Sequence, residues 1–287
     1  MQHTSIGELS GWLSQLHALE DSQKCQSPAF IKPFHLATLA HVLRKHEPIS
    51  LTLPEKITSY ANTMNLWGAL NIAPPVNDLN RKTAGRYHPI ELLNDVATVD
   101  DSAQMLVTLF EAVCTDAKTN DAVCTMLREL IGNCYAHSAV TDGVYGVLCA
   151  QVWAGGRKAQ IALADSGIGI RNSLLQNELL LPRLNAENAC ELATEYGVTS
   201  KPGRGHSGYG LAVARKLLEQ NKGVLIVRSG QEGFCLSGGV ARNFNTETVW
   251  NGTLLVIEWD LDVPMNIREV YDGFPMPEGM NDDDFDF

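Results

Sequence analysis

Three stretches of the chain carry side chains whose types and spacing can do chemistry. In Glu129-Leu130-Ile131-Gly132-Asn133-Cys134-Tyr135-Ala136-His137, the polar residues Glu129, Asn133 and His137 recur at every fourth position. On an α-helix that spacing forms one stripe, beside an apolar face of Leu127, Leu130, Ile131 and Cys134. Such a helix packs on a sheet while one edge offers a carboxylate for acid–base work, an amide oxygen suited to a hard cation such as Mg²⁺, and an imidazole that meets a phosphate. Polar residues four apart also occur on plain solvated helix faces, so the stripe alone does not choose between the two.

The second stretch, Ile161-Ala162-Leu163-Ala164-Asp165-Ser166-Gly167-Ile168-Gly169-Ile170, reads as a buried strand ending in an aspartate, then two glycines with one residue between. Glycine lets a backbone approach a ligand closely and adopt positive φ, and a carboxylate at a strand end accepts a hydrogen bond from an exocyclic amine. An ordinary Asp-Ser-Gly turn has the same letters. The third stretch runs from Thr199 through Lys201, Arg204, Gly205, His206, Ser207, Gly208 and Gly210 to Leu211, directly ahead of a helical pattern. A glycine-rich loop entering a helix presents free N–H groups and a positive dipole end to an anion; Lys201 and Arg204 add charge. The Walker spacing is absent, so this is not a P-loop.

The elements that must position these residues follow from pattern. Residues 8 to 46 read as mostly helical with a break around Pro28 and Pro33, Ile49 to Leu53 as a short strand, and Glu55 to Leu70 as a helix opened by Pro54. Residues 73 to 90 read as a loop-rich junction. Beyond a boundary near residue 98, Asp100-Asp101-Ser102 and Thr119-Asn120 are expected to cap two helices, the second reaching His137. Gly143 to Trp153 and Lys158 to Ala164 read as strands joined at Gly155-Gly156, Tyr209 to Asn221 as a helix ending before Gly223, and Val224 to Arg228 and Thr253 to Trp259 as strands.

Composition narrows the classes. Apolar residues make up 45% of the 287, enough for a sizeable core. The net charge of -11 works against a phosphate backbone, so direct nucleic-acid binding is not expected. The seven cysteines are scattered singly with no Cys-x-x-Cys pair, which fits reduced thiols rather than zinc or a disulfide framework. No apolar run approaches a membrane span and no secretion signal opens the chain, so a cytoplasmic setting is expected.

In order and spacing, the three stretches resemble the N box and the two glycine boxes of the GHKL (Bergerat-fold) superfamily shared by DNA gyrase, heat-shock chaperones and histidine kinases. Asn251-Gly252-Thr253, opening the last strand, resembles its further Gly-Thr element. The likeness covers about residues 100 to 264 and is greatest to bacterial stand-alone ATP-binding proteins that act beside STAS-like partners. It implies an α/β fold with a Bergerat-type two-layer sandwich, a mixed sheet with helices on one face, over residues 99–264. A smaller, mostly helical or α+β regulatory or dimerisation region would occupy 1–98, and an acidic tail 265–287. Cys134 stands where an alanine is usual after the asparagine.

The resemblance also implies roles. Asn133 would coordinate Mg²⁺, and Glu129 would orient or deprotonate the attacking group. Asp165 would hold the adenine amine of ATP, with Thr253 nearby, while Gly167 and Gly169 give the base room. Residues 171 to 207 would form a lid, with Gly205, Ser207, Gly208 and Gly210 near the phosphates and His137, Lys201 and Arg204 as further phosphate contacts. The apolar, helical part of that lid, residues 178 to 195, covers either its own pocket or a partner or dimer surface. Three outputs fit such a pocket. The first is an ATPase or ATP-operated switch in bacterial signalling or defence. The second is a protein kinase, either acting on a STAS-like partner in the anti-sigma-factor manner or as a histidine kinase using His41 or His46. The third is a nucleotide-sensing interaction module whose acidic, phenylalanine-bearing tail docks a protein.

Overall fold

The computed structural model describes residues 2–22, 28, 30–47, 50–75, 86–136, 143–201 and 208–275. Helices α1 (Ile6–Ser22), α2 (Pro33–Arg44), α3 (Glu55–Thr63) and α4 (Leu66–Ala69) precede strand β1 (Tyr87–Leu93). Then come α5 (Val99–Glu111), α6 (Ala117–Ala136), β2 (Gly146–Trp153) and β3 (Lys158–Asp165). Three short helices, α7 (Ile170–Leu174), α8 (Leu181–Ala186) and α9 (Ala189–Leu192), lead to α10 (Gly210–Asn221). The long hairpin of β4 (Val224–Ser237) and β5 (Val240–Asp260) is followed by α11 (Ile267–Asp272).

The five strands form one sheet in the order β1-β2-β3-β5-β4. Every neighbouring pair is antiparallel, which corrects the expected mixed sheet. The reason is topological. β3 and β4 run the same way, but β5 folds back from the Gly238-Gly239 turn and inserts between them, so no parallel pair forms. β1 lies within the stretch expected to be a loop junction and the chain before residue 98. Its Pro89 lowers its strand signal, yet proline is tolerated on an edge strand, and the β1–β2 register shifts between His88 and Glu91. Residues 50–53 form no strand, and Ile49 lies outside the described residues. β4 continues well past Arg228, because Phe234 and Leu236 keep burying the same face as Leu225 and Val227.

Helices cover both faces of the sheet rather than one. Leu148, Ala150, Ile161, Leu163, Leu255, Ile257 and Trp259 face the layer built by α5, α6 and α10. The alternate residues Val147, Cys149, Ala162, Ala164, Leu254 and Val256 are buried against α1–α4. Strands apolar at every position must be covered on both sides, and runs such as Thr253-Leu254-Leu255-Val256-Ile257 carry that pattern openly. The small Cys149, Ala162 and Ala164 let α2 lie across β2 and β3. Among the described residues no helix is long and apolar enough to cross a membrane.

Local chemistry sets the helix ends. Asp116 accepts from the Thr119 N–H at 3.0 Å, so α6 begins at Ala117, ahead of the expected Thr119-Asn120 cap. α5 begins earlier than expected too, after a single 3₁₀ turn in which Asp95 accepts from the Ala97 N–H at 2.9 Å. On the far face of the sheet, Gln160 accepts from the Phe34 N–H at the start of α2 at 3.0 Å. Around it, Glu258 accepts from the Thr4 N–H at 2.9 Å, from the Thr4 hydroxyl and from the Gln160 amide, with His3 Nδ1 at 2.9 Å. Lys32 donates to Thr4 and Glu8 at 3.0 and 2.9 Å. This closed polar cluster pins the first residues of the chain to β3 and β5.

Candidate functional site

The three chemistry-bearing stretches, and the Asn251-Gly252-Thr253 turn, meet around one cavity. Glu129 and Asn133 reach it from α6, Asp165, Gly167 and Gly169 from the end of β3, Gly208 and Gly210 from the entrance to α10, and Thr253 from β5. It measures about 170 Å³, well above the roughly 10–15 Å³ that admits one water.

Asp165 is the fixed point. Its Oδ1 accepts from the backbone N–H groups of Gly167 at 2.7 Å and Thr253 at 2.9 Å. The Thr253 side chain hydrogen-bonds the same carboxyl, and both residues line the cavity. Burial pushes the carboxyl up to about 6, against the downward pull of those backbone donors, the Thr253 side chain and the charge of Lys45. Gly252 makes the arrangement possible. Its φ is +94°, and a Cβ there would run into the Asp165 backbone and stand 2.8 Å from Oδ1. Gly169, at φ +82°, brings its backbone so near Ser229 that a Cβ would lie 2.8 Å from Oγ. Ser229 is the clasp between the two turns, accepting from the Ile170 N–H at 2.9 Å and donating to the Gly252 carbonyl at 2.8 Å. No sequence pattern marked Ser229; it looks like any strand serine.

The opposite wall is a contact between two helices. A Cβ on Gly210 would lie 3.1 Å from Asn133 Nδ2 and 3.2 Å from Glu129 Oε2, so a larger residue there would make that stripe shift by a few tenths of an ångström. α10 begins without a side-chain cap, which leaves its first N–H groups and its positive dipole end facing the cavity side. Glu129 is exposed and Asn133 half-buried. Cys134 also lines the cavity, and its thiol donates to the Leu130 carbonyl at 3.6 Å. Burial, and then the Asp165 charge, hold its pKa well above the ordinary thiol value, so it is an inert spacer.

The segment after β3 closes the side. Leu174, Leu184, Ala189, Cys190 and Leu192 are buried in the main core, and Ala193, Val198, Thr199 and Ser200 line the cavity. Arg171 staples this segment to β4 through Glu232 at 2.6 and 2.7 Å and to the Leu184 carbonyl at 2.6 Å. The apolar lid portion therefore packs on its own core. It leaves Leu175, Leu179 and Leu181 exposed. At the mouth, Tyr209 stacks on Tyr196 at 4.7 Å, and Phe274 packs on both rings.

Two expectations fall elsewhere. Lys201 does not line the cavity; its ammonium donates to the Ala136 carbonyl at 2.8 Å, at the C-terminal end of α6 where a cation is favoured. His137, Arg204, Gly205 and Ser207, like the tail from residue 276 onward, lie outside the described residues. The cavity residues that pattern reading missed are apolar: Leu163, Leu174, Val198 and Leu255.

Among the described residues, no group of three or more His, Cys, Asp or Glu side chains converges on a metal position. The donor set that is present, one amide and one exposed carboxylate beside an uncapped helix start, suits a cation held chiefly by phosphate oxygens and water, as Mg²⁺ commonly is. Comparison with models of known protein families and with curated proteins returned no match, so the chemistry of the site rests on its own geometry.

Proposed function

We propose that this chain binds ATP with Mg²⁺ in the cavity between α6, α10 and the end of β3, as a Bergerat-type ATPase or ATP-operated switch. The observation that carries the reading is convergence: residues 129–133, 165–169, 208–210 and 253, far apart in sequence, surround one hollow. Asp165 accepts from the adenine amine, and the Thr253 hydroxyl completes that edge. The glycine turns at 167 and 169 leave room for the base. The phosphates lie at the uncapped start of α10, where free N–H groups favour anions. Asn133 supplies an oxygen to the cation, and Glu129, exposed at the mouth, takes a proton from the attacking water as the terminal phosphoryl group leaves ADP. Lys201 reaches a phosphate only by leaving the Ala136 carbonyl; His137, Arg204, Gly205 and Ser207 remain assigned to the phosphate side by resemblance.

One observation favours a kinase as the second reading. Leu179 is 82% exposed, with Leu175 and Leu181 beside it, on the segment that walls the cavity. An apolar patch there suits a protein partner, and a Ser or Thr hydroxyl of a STAS-like protein would take the place of water. The histidine-kinase form is disfavoured, because His41 is buried against Trp250 and α2 ends at Arg44, ahead of His46.

Calorimetric titration of Mg–ATP into wild type and Asp165→Asn, followed by phosphate release from the same samples, tests the proposal. Loss of at least about tenfold in affinity in the variant is expected, the worth of one charge-assisted hydrogen bond. Equal binding by both proteins would remove Asp165 from the adenine role.

A further inference from the structure

The start of α10 is held from two sides, and the second hold is aromatic. On one side Gly210 lies against Asn133 and Glu129. On the other, the end of the segment after β3 meets the entrance to α10 twice. Gly208, at φ +69°, comes so near that a Cβ on it would stand 2.7 Å from the Val198 carbonyl oxygen. One residue on, the Tyr209 ring lies on Tyr196, with centroids 4.7 Å apart and planes 13° from parallel. Tyr209 is the residue just ahead of α10, and its carbonyl accepts from the Val213 N–H at 2.7 Å. Its side chain makes no cap bond to the helix and is committed to the stack instead.

A third ring comes from the segment after β5. Phe274 packs on Tyr196 at 4.5 Å and on Tyr209 at 6.3 Å, and the Tyr196 hydroxyl donates to the Pro275 carbonyl at 2.9 Å. The residues that carry Phe274 are themselves fixed. The Met265 N–H donates to Thr119 of α6 at 3.0 Å and the Asn266 N–H to Gln220 of α10 at 2.9 Å. Ile267 and Val270 of α11 are buried in the main core. Phe274 thus ties the segment after β3 to a base bonded to both helices that wall the cavity. Offset aromatic pairs contribute beyond the area they bury. At this place the contribution falls on Tyr209, which lines the cavity and adjoins Gly210.

We infer that Tyr196, Tyr209 and Phe274 are positioning residues: their stack holds the start of α10 where its free N–H groups meet the phosphates of the nucleotide. The inference rests on the Mg–ATP reading of the cavity. The adenine end is held separately, by Asp165 at the end of β3 and the turn at Gly252 and Thr253. The stack therefore bears on the phosphates rather than the base, and its effect grows with the number of phosphates bound.

Calorimetric titrations of adenosine, Mg–ADP and Mg–ATP into the full chain, as wild type, Tyr196→Ala and Phe274→Ala, test this. In both variants Mg–ATP affinity should fall about fivefold to tenfold and Mg–ADP affinity by less, while adenosine stays within about twofold. Tyr196→Phe keeps the ring and should recover most of the Mg–ATP affinity. Amide hydrogen exchange without nucleotide reads the hold directly: Val213 should exchange about tenfold faster in Phe274→Ala than in wild type. Equal loss for all three ligands, no loss for any, or faster exchange throughout α6 as well would overturn the inference. Faster Val213 exchange in a protein whose wild type binds no nucleotide would sink the Mg–ATP reading, and the phosphate role of the stack with it, leaving only the hold on α10.

Discussion

Asp165 and Glu258 are carboxylates of adjoining strands, and the sheet treats them oppositely. Asp165 ends β3 on the α6–α10 face, where burial outweighs its hydrogen bonds and its pKa rises to about 6. Glu258 sits in β5 on the α1–α2 face. Burial pushes it up as well, but His3, Thr4 and the charge of Lys32 together hold it below the ordinary glutamate value. What separates them is how many donors surround each group. Around Glu258 the polar atoms close on one another, which fixes structure. At Asp165 burial beside a hollow outweighs the donors, an arrangement that suits the proposed ligand role.

The largest expected effect separates chemistry from binding within the front face. Glu129→Ala should lower ATP turnover by about 10²–10⁴-fold, the usual worth of a general base, while calorimetric affinity for Mg–ATP stays within a few-fold. Turnover equal to wild type would take Glu129 out of the reaction. On the back face the loss should be structural. Glu258→Gln should destabilise the fold by about 3 kcal/mol at pH 7 through the partners it leaves buried, with nucleotide affinity unchanged. Because the folded pKa of Glu258 is depressed, its contribution is present above the unfolded value and lost as pH falls through the folded one. Urea melts of wild type and variant should therefore converge on acidification below about pH 4.5.

Asp165→Asn should move stability the other way. A carboxyl raised from 3.8 to about 6 stabilises the fold only at low pH; that contribution is complete below the unfolded value and lost as pH rises through about 6. At pH 7.5 the unliganded variant should be more stable by on the order of 2–3 kcal/mol, since an amide still accepts from Gly167 and Thr253. A lower melting temperature in the variant would show that the carboxylate is better satisfied than its surroundings indicate. The smallest effect tests the clasp between the turns. Gly252→Ala, forced to positive φ against the Asp165 backbone, should cost about 1–2 kcal/mol and weaken nucleotide binding without touching the Glu258 cluster.

Much of the site's raw material was legible in the chain. The stripe of Glu129 and Asn133, the aspartate closing a buried strand, and the glycines before α10 are local features, and local features leave local patterns. Less visible were groups whose importance comes from a neighbour distant in sequence. Ser229 matters because Gly169 and Gly252 fold against it. Lys201 looked like a phosphate contact because it stands in a glycine-rich loop, but the end of α6 lies within its reach. β1 was obscured by Pro89, which only an edge position tolerates.

The sequence by itself marked β2, β3, α6, α10 and the glycine turns between them, because hydrophobic period and backbone freedom act over a few residues. The consecutive apolar positions of β3 and β5 fit cover on both faces of the sheet, against the one-faced cover that the family resemblance implied. Tertiary structure decided the rest. Inserting β5 between β3 and β4 made the sheet antiparallel and carried Thr253 to Asp165. Docking α1 and α2 behind it satisfied Glu258 while leaving His41 Nε2 and Trp250 Nε1 without a hydrogen-bond partner among the described residues. Charge and hydrogen-bond satisfaction depend on which surfaces meet, and no single stretch of chain specifies that.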